Sequence, residues 1–259
     1  MPNGGNDAHA SPEPGGEDRP SGDLVEGWAA VPRPWNGRSD GRRVLRDRRE
    51  AGRWLAERLW STISERPIVL GLPRGGVPVG AEIADRLAAP LDVLVARKVA
   101  APNNPEYALG ALAEAGGRLL DVDRIRQAGL TPHELEKAIR RESEAIGRQV
   151  GRFRAGHPLP DVRGRTVIVV DDGVATGATM IVAARVVRAL APHRLVLATG
   201  VCPESAIPDL RREADEIVAL LVPRHFLAVG DWYTDFPPVS DAEVERLLGA
   251  HPRAPTLTA

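Results

Sequence analysis

Short apolar runs without polar alternation recur along the chain at Pro67–Leu72, Leu91–Ala96, Thr166–Val170, Arg194–Val201 and Glu216–Val222. Runs this short and this uniform predict strands covered on both faces, because a half-exposed strand would alternate. Between them the apolar period lengthens to that of a helix. Leu45, Gly52, Leu55, Ala56 and Leu59 share one stripe of a helix expected over Arg42–Trp60, with its start near Ser39 or Asp40. Ala81–Ala89 and Met180–Leu190 read as buried helices. Thr131-Pro132-His133-Glu134 is a capping box with proline at the first helical position, and the helix it opens should reach Phe153. Ser240-Asp241-Ala242-Glu243 opens a last short helix. Strands alternating with helices predict an α/β fold with a central, mostly parallel five-stranded sheet flanked by helices.

The pattern fails in three places. Residues 1 to about 38 and 251–259 have too few apolar side chains to offset their ordering entropy and are expected to be disordered tails, though Trp28 and Trp35 could pack onto the domain. The folded domain is expected over residues 39–250. Pro102–Tyr107 interrupts regular structure and Ala108–Arg118 is small and Gly-rich, so 99–118 is expected to be a flexible loop.

Candidate chemistry gathers where strands give way to helices. Asp171 and Asp172 end the apolar run Val167–Val170, and Gly173-Val174-Ala175-Thr176-Gly177-Ala178-Thr179 leads into the next helix. A Gly/Thr turn at a helix N-terminus seats an anion, since unpaired N–H groups and the helix dipole point at it. Two carboxylates cannot hold a phosphate, but they accept hydrogen bonds from sugar hydroxyls or face a cation. An acid pair beside a phosphate cup therefore suits a sugar phosphate. A second anion turn, Pro73-Arg74-Gly75-Gly76, follows the first strand. It lacks both the dinucleotide-binding glycine spacing and the Walker Lys-Ser/Thr pair. Arg97-Lys98 closes the second apolar run as a basic pair, and Lys98 is one of only two lysines in the chain.

The stretch from Val167 to Thr179 resembles the ribose-phosphate loop of type I phosphoribosyltransferases, and Pro73–Gly76 is similar to their pyrophosphate loop. The resemblance covers roughly residues 40–250 and is specific only in these two loops. It implies Mg2+-dependent transfer of ribose 5-phosphate from phosphoribosyl pyrophosphate (PRPP) to a nucleobase-like acceptor. Arg74, Gly75, Gly76, Arg97 and Lys98 would then serve the pyrophosphate. Asp171 and Asp172 would hold the ribose hydroxyls and, through PRPP, the metal, while Ala175, Thr176, Gly177, Ala178 and Thr179 would hold the 5′-phosphate. Arg74, Lys98 and Asp172 are the expected catalytic residues. The resemblance also implies that 99–118 closes over PRPP, with Glu106, Tyr107 and Glu114 as candidates for loop chemistry. A C-terminal hood over about 222–250 would offer Trp232 and Tyr233 to the base, although these aromatics read equally well as a small satellite core. Ala175 stands where many 6-oxopurine enzymes of the family place an aspartate. A homodimer is expected.

Composition narrows the alternatives. The 259 residues carry a net charge of −1, which gives no general attraction to nucleic acid or membrane. Arg42, Arg43, Arg46, Arg48, Arg49 and Arg53 crowd one helix face, but Asp47 and Glu50 dilute them, and an internally paired, solvated face is favoured over a nucleic-acid interface. A PRPP-sensing regulator without transfer activity is the rival such an interface would favour. Cys202, the one cysteine, excludes an intramolecular disulfide and is expected to be a buried structural thiol. No signal-peptide core precedes Ala10 and no run is long enough to span a bilayer, so a cytoplasmic protein is expected.

Overall fold

The computed structural model describes residues 38–39, 42–63, 65–254 and 256. The expected tail before residue 38, with Trp28 and Trp35, and the expected cap at Asp40 lie outside the described residues.

A short antiparallel pair, β1 (Arg38–Ser39) and β2 (Arg42–Arg43), precedes α1 (Arg48–Trp60). The helix starts at Arg48 rather than Arg42 because Asp47 caps it: the Glu50 N–H donates to its carboxylate at 2.7 Å. Then come β3 (Ile68–Gly71), α2 (Gly76–Leu87), β4 (Leu91–Val93), β5 (Ala96–Ala101), β6 (Asn104–Ala113), β7 (Arg118–Leu120), α3 (Val122–Gln127) and α4 (Pro132–Arg154). The remainder is β8 (Thr166–Gly173), α5 (Ala178–Ala189), β9 (Arg194–Val201), α6 (Ile207–Arg211), β10 (Glu216–Leu221) and α7 (Asp241–Ala250).

The central sheet is five-stranded and parallel in the order β10-β9-β8-β3-β4. β3 and the start of β8 are fully buried, which is why neither alternates. α1 and α2 pack on each other and across β3, β8, β9 and β10, while α5 packs on β8, β9 and a second sheet. Thr131 caps α4 as its sequence requires, accepting from the Glu134 N–H while the Glu134 carboxylate accepts from the Thr131 N–H at 2.9 Å. Cys202 is free and buried, and burial pushes its thiol up to about 12.

Two further expectations differ from the structure. Residues 99–118 are not irregular: β5, β6 and β7 form an antiparallel sheet, with register shifts at Val99/Ala100 and Ala100/Ala101. The small residues that suggested a loop, such as Ala108, Ala111 and Ala113, are buried where α5 packs on β6. Nor does order end at 250. His251 Nε2 lies 3.1 Å from Asp85, the Leu91 N–H donates to the Pro252 carbonyl at 3.2 Å, and Ala254 is buried. The edge strand β4 supplies backbone partners that composition could not reveal.

A buried ion cluster joins the two sheets. Arg154, 3% exposed at the end of α4, pairs with Glu114 and approaches Asp92 at 3.9 Å. The second Glu114 oxygen accepts from the Val95 N–H at 2.7 Å, so Glu114 is structural rather than part of loop chemistry. Burial pushes the Asp92 carboxyl up, against the opposing pull of the Val93 N–H and Arg154. Removing one member of such a cluster strands the others without water. Arg154→Met is expected to lower unfolding free energy by about 3–5 kcal/mol, measured by urea denaturation.

Candidate functional site

Parallel pairing of β3 with β8 places Leu70 opposite Val169 and Gly71 opposite Val170, so β3 ends level with Val170 while β8 runs on through the acid pair to Gly173. The chain leaves β3 through Pro73-Arg74-Gly75, with the Leu72 N–H donating to the Val170 carbonyl at 2.8 Å, and enters α2 at Gly76. The Pro73–Arg74 peptide is cis. Both glycines are fixed by close approach. A Cβ at Gly75 would fall inside the Asp172 carboxylate, and one at Gly76 would meet the Val170 carbonyl oxygen.

From β8 the chain turns into α5 through Gly177, whose φ of +83° suits glycine. No side chain caps α5, which leaves its first N–H groups open to an anion. They open onto a cavity of about 300 Å3 lined by Lys98, Ala108, Asp171, residues 173–180 and Leu227. Lys98, Asp171 and the turn, distant in sequence, therefore share one space.

The two acids do not play the same part. Asp171 lines the cavity, and its Oδ1 accepts from the Asp172 N–H at 2.9 Å. Burial, with the adjacent Asp172 carboxylate second, pushes the Asp171 carboxyl well above its usual range. Asp172 points to the protein: Arg48 Nε donates to its Oδ2 at 2.7 Å, and the Tyr233 hydroxyl donates to its backbone carbonyl at 2.6 Å.

Other expected site residues fall on both sides of the boundary. Arg74 is half-exposed on its turn, 3.5 Å from Asp241. Lys98 and Arg97 are neighbours within β5 rather than the end of a preceding strand, so they face opposite ways. Arg97 turns to α4 and bonds Glu142 at 2.7 Å, away from the cavity that Lys98 lines. Tyr233 is buried in the same core cluster as Leu45 and Val201 and is stacked on Phe236 at 4.8 Å, and it does not line the cavity. Trp232 is half-buried and does not line the cavity; its carbonyl accepts from the Leu45 N–H. The hood residue that lines the cavity is Leu227, 93% exposed. Tyr107 bonds Gln127 at 3.0 Å, and the Glu106 side chain lies outside the described residues. The residue that the sequence reading missed is Arg48. It stood among six arginines on one face, of which Arg49 and Arg53 lie 3.7 Å from Glu82 as a solvated pair network.

Comparison with known proteins adds a family. A family model described as "Phosphoribosyl transferase domain" matches residues 46–218. The curated protein named "Putative phosphoribosyl transferase Rv0571c", from Mycobacterium tuberculosis, is 42% identical over 206 residues, which make up 80% of this chain and 46% of that protein. The chain thus spans about half the length of the curated relatives it matches. A shorter match, 39% identical over 64 residues, is to the ribose-phosphate pyrophosphokinase of Thermococcus kodakarensis, covering 24% of this chain and 23% of that protein. Among solved structures, TT1426 from Thermus thermophilus has 45% identity and a TM-score of 0.66, with 79% of this chain and 97% of that chain covered.

The geometry yields two stability tests. Because the folded-state pKa of Asp171 is raised, its protonation favours folding. That contribution is full below the unfolded value near 3.8 and is lost as pH rises through the folded value. Asp171→Asn keeps the acceptor without the charge and should raise the melting temperature at neutral pH by roughly 2–4 °C, with no gain in acid below the unfolded value. Gly75→Ala forces a methyl into the Asp172 carboxylate and should cost about 1–3 kcal/mol in denaturant unfolding.

Proposed function

The chain belongs to the phosphoribosyl transferase domain family, and we propose that it transfers the ribose 5-phosphate group of Mg-PRPP to a nucleobase-like acceptor, releasing pyrophosphate. The observation behind this reading is the cavity in which Lys98, Asp171 and the open N-terminus of α5 meet, one strand from the Gly75-Gly76 turn. The 5′-phosphate would accept from the N–H groups and hydroxyls of residues 175–179, and Asp171 would accept from a ribose hydroxyl. The pyrophosphate would lie toward Arg74, the two glycines and Lys98.

In this reaction the bond from the anomeric carbon to pyrophosphate breaks, and its electron pair leaves with the pyrophosphate. An acceptor nitrogen bonds to that carbon and gives up a proton. Negative charge grows on the leaving group, so the fixed positive groups of Arg74 and Lys98 favour the transition state over the bound substrate. The residues fit magnesium only through the substrate. Among the described residues no three His, Cys, Asp or Glu side chains group as a metal site, whereas Asp171 offers a hard oxygen beside the place proposed for PRPP oxygens. Magnesium bound there would neutralise pyrophosphate charge. The exposed Leu227 offers an apolar surface to a planar acceptor.

Pyrophosphate release from Mg-PRPP, assayed across purine and pyrimidine bases, tests the reading. Release dependent on one base is expected. Asp171→Ala should weaken Mg-PRPP binding about 10- to 100-fold with the circular dichroism unchanged. Silence across the panel with PRPP still bound would move the protein to a PRPP sensor.

A further inference from the structure

The contact least expected from the sequence ties the site to the rest of the molecule. Arg48 is largely buried at the start of α1, with its side chain 11% exposed, and it reaches three places at once. Its Nε donates to Asp172 Oδ2 at 2.7 Å, its Nη1 donates to the Pro237 carbonyl at 2.7 Å, and its guanidinium lies 3.7 Å over the Phe236 ring. Phe236 stacks on Tyr233, whose hydroxyl returns to the Asp172 carbonyl. The backbone follows the same path. Leu45 N–H donates to Trp232 O, Thr234 N–H to Leu45 O and Asp235 N–H to Arg46 O, at 2.7–2.8 Å. On its other side the Asp172 carboxylate fills the space against Gly75 that a side chain there would need.

We propose that Arg48 is a positioning residue for PRPP: through Asp172 it holds the Gly75 turn, the acidic end of β8 and the 232–237 segment in one arrangement. The inference rests on the PRPP reading of the site. A guanidinium suits the task because its planar fork bonds a carboxylate and a carbonyl together while stacking on a ring, which a lysine ammonium cannot do. Without Arg48, Asp172 would be a second uncompensated carboxylate beside Asp171, free to leave Gly75. The two halves of the ligand site would then no longer be held at a fixed separation.

A double-mutant cycle tests this, using Arg48→Met, Asp172→Asn, their combination and Arg48→Lys. Mg-PRPP affinity would be read by calorimetry at neutral pH, with folding checked by circular dichroism. Arg48→Met should weaken Mg-PRPP at least about tenfold, with little further loss once Asp172 is Asn, and Arg48→Lys should recover only part. Additive losses, unchanged affinity or full recovery by Arg48→Lys would overturn the proposal. If Arg48→Met does not fold, Arg48→Lys carries the test with a smaller loss expected, and wild-type affinity would overturn the proposal. A wild-type protein that binds no Mg-PRPP would instead overturn the reading beneath it.

Discussion

The in-register parallel pairing of β3 with β8 is the constraint on which everything else depends. Neighbouring parallel strands point their carboxyl ends the same way, so two turns far apart in sequence open side by side. α2 and α5 begin at those turns and present their amide ends there. A one-residue slip between β3 and β8 would turn each side chain to the other face and separate the turns by a residue's rise. The fully buried apolar side chains of β3 and β8 fix the register, which makes core packing the cause of the site geometry.

At that edge the molecule accepts two adjacent carboxylates, an arrangement that works against its own stability. The conflict is resolved unequally. Asp172 is neutralised by Arg48 and built into the protein, whereas Asp171 faces the cavity with its proton affinity raised by burial and by its neighbour. Asp171 shares that cavity wall with Lys98 and the threonines of the turn. Function and stability pull in opposite directions there, as they commonly do at binding sites.

The core of the fold was legible because buried parallel strands and capped helices write themselves in local patterns: the run at Arg194–Val201 and the capping box at Thr131 stand as the sequence places them. The turns that open α2 and α5 were legible for the same reason, being contiguous stretches. What depended on long-range packing was not. The β5–β7 sheet was hidden because alanine and glycine have weak strand propensity and serve here to admit α5. Arg97 was read with Lys98 because a dipeptide gives no side-chain direction until a strand is placed under it. Tyr233 looked like a stacking surface because aromatic content does not reveal which face is covered. Arg48 carried no local signal at all, since its partners Asp172 and Pro237 come from the far end of the chain.

The most direct measurement is a crystal structure of the chain grown with Mg-PRPP. Density for the 5′-phosphate on residues 175–179, with the pyrophosphate toward Arg74–Gly76 and a ribose hydroxyl against Asp171, is the expected result. PRPP seated in the neighbouring cavity beside Asp121 and Arg124, or absent from the cleft between the two turns at saturating concentration, would contradict it.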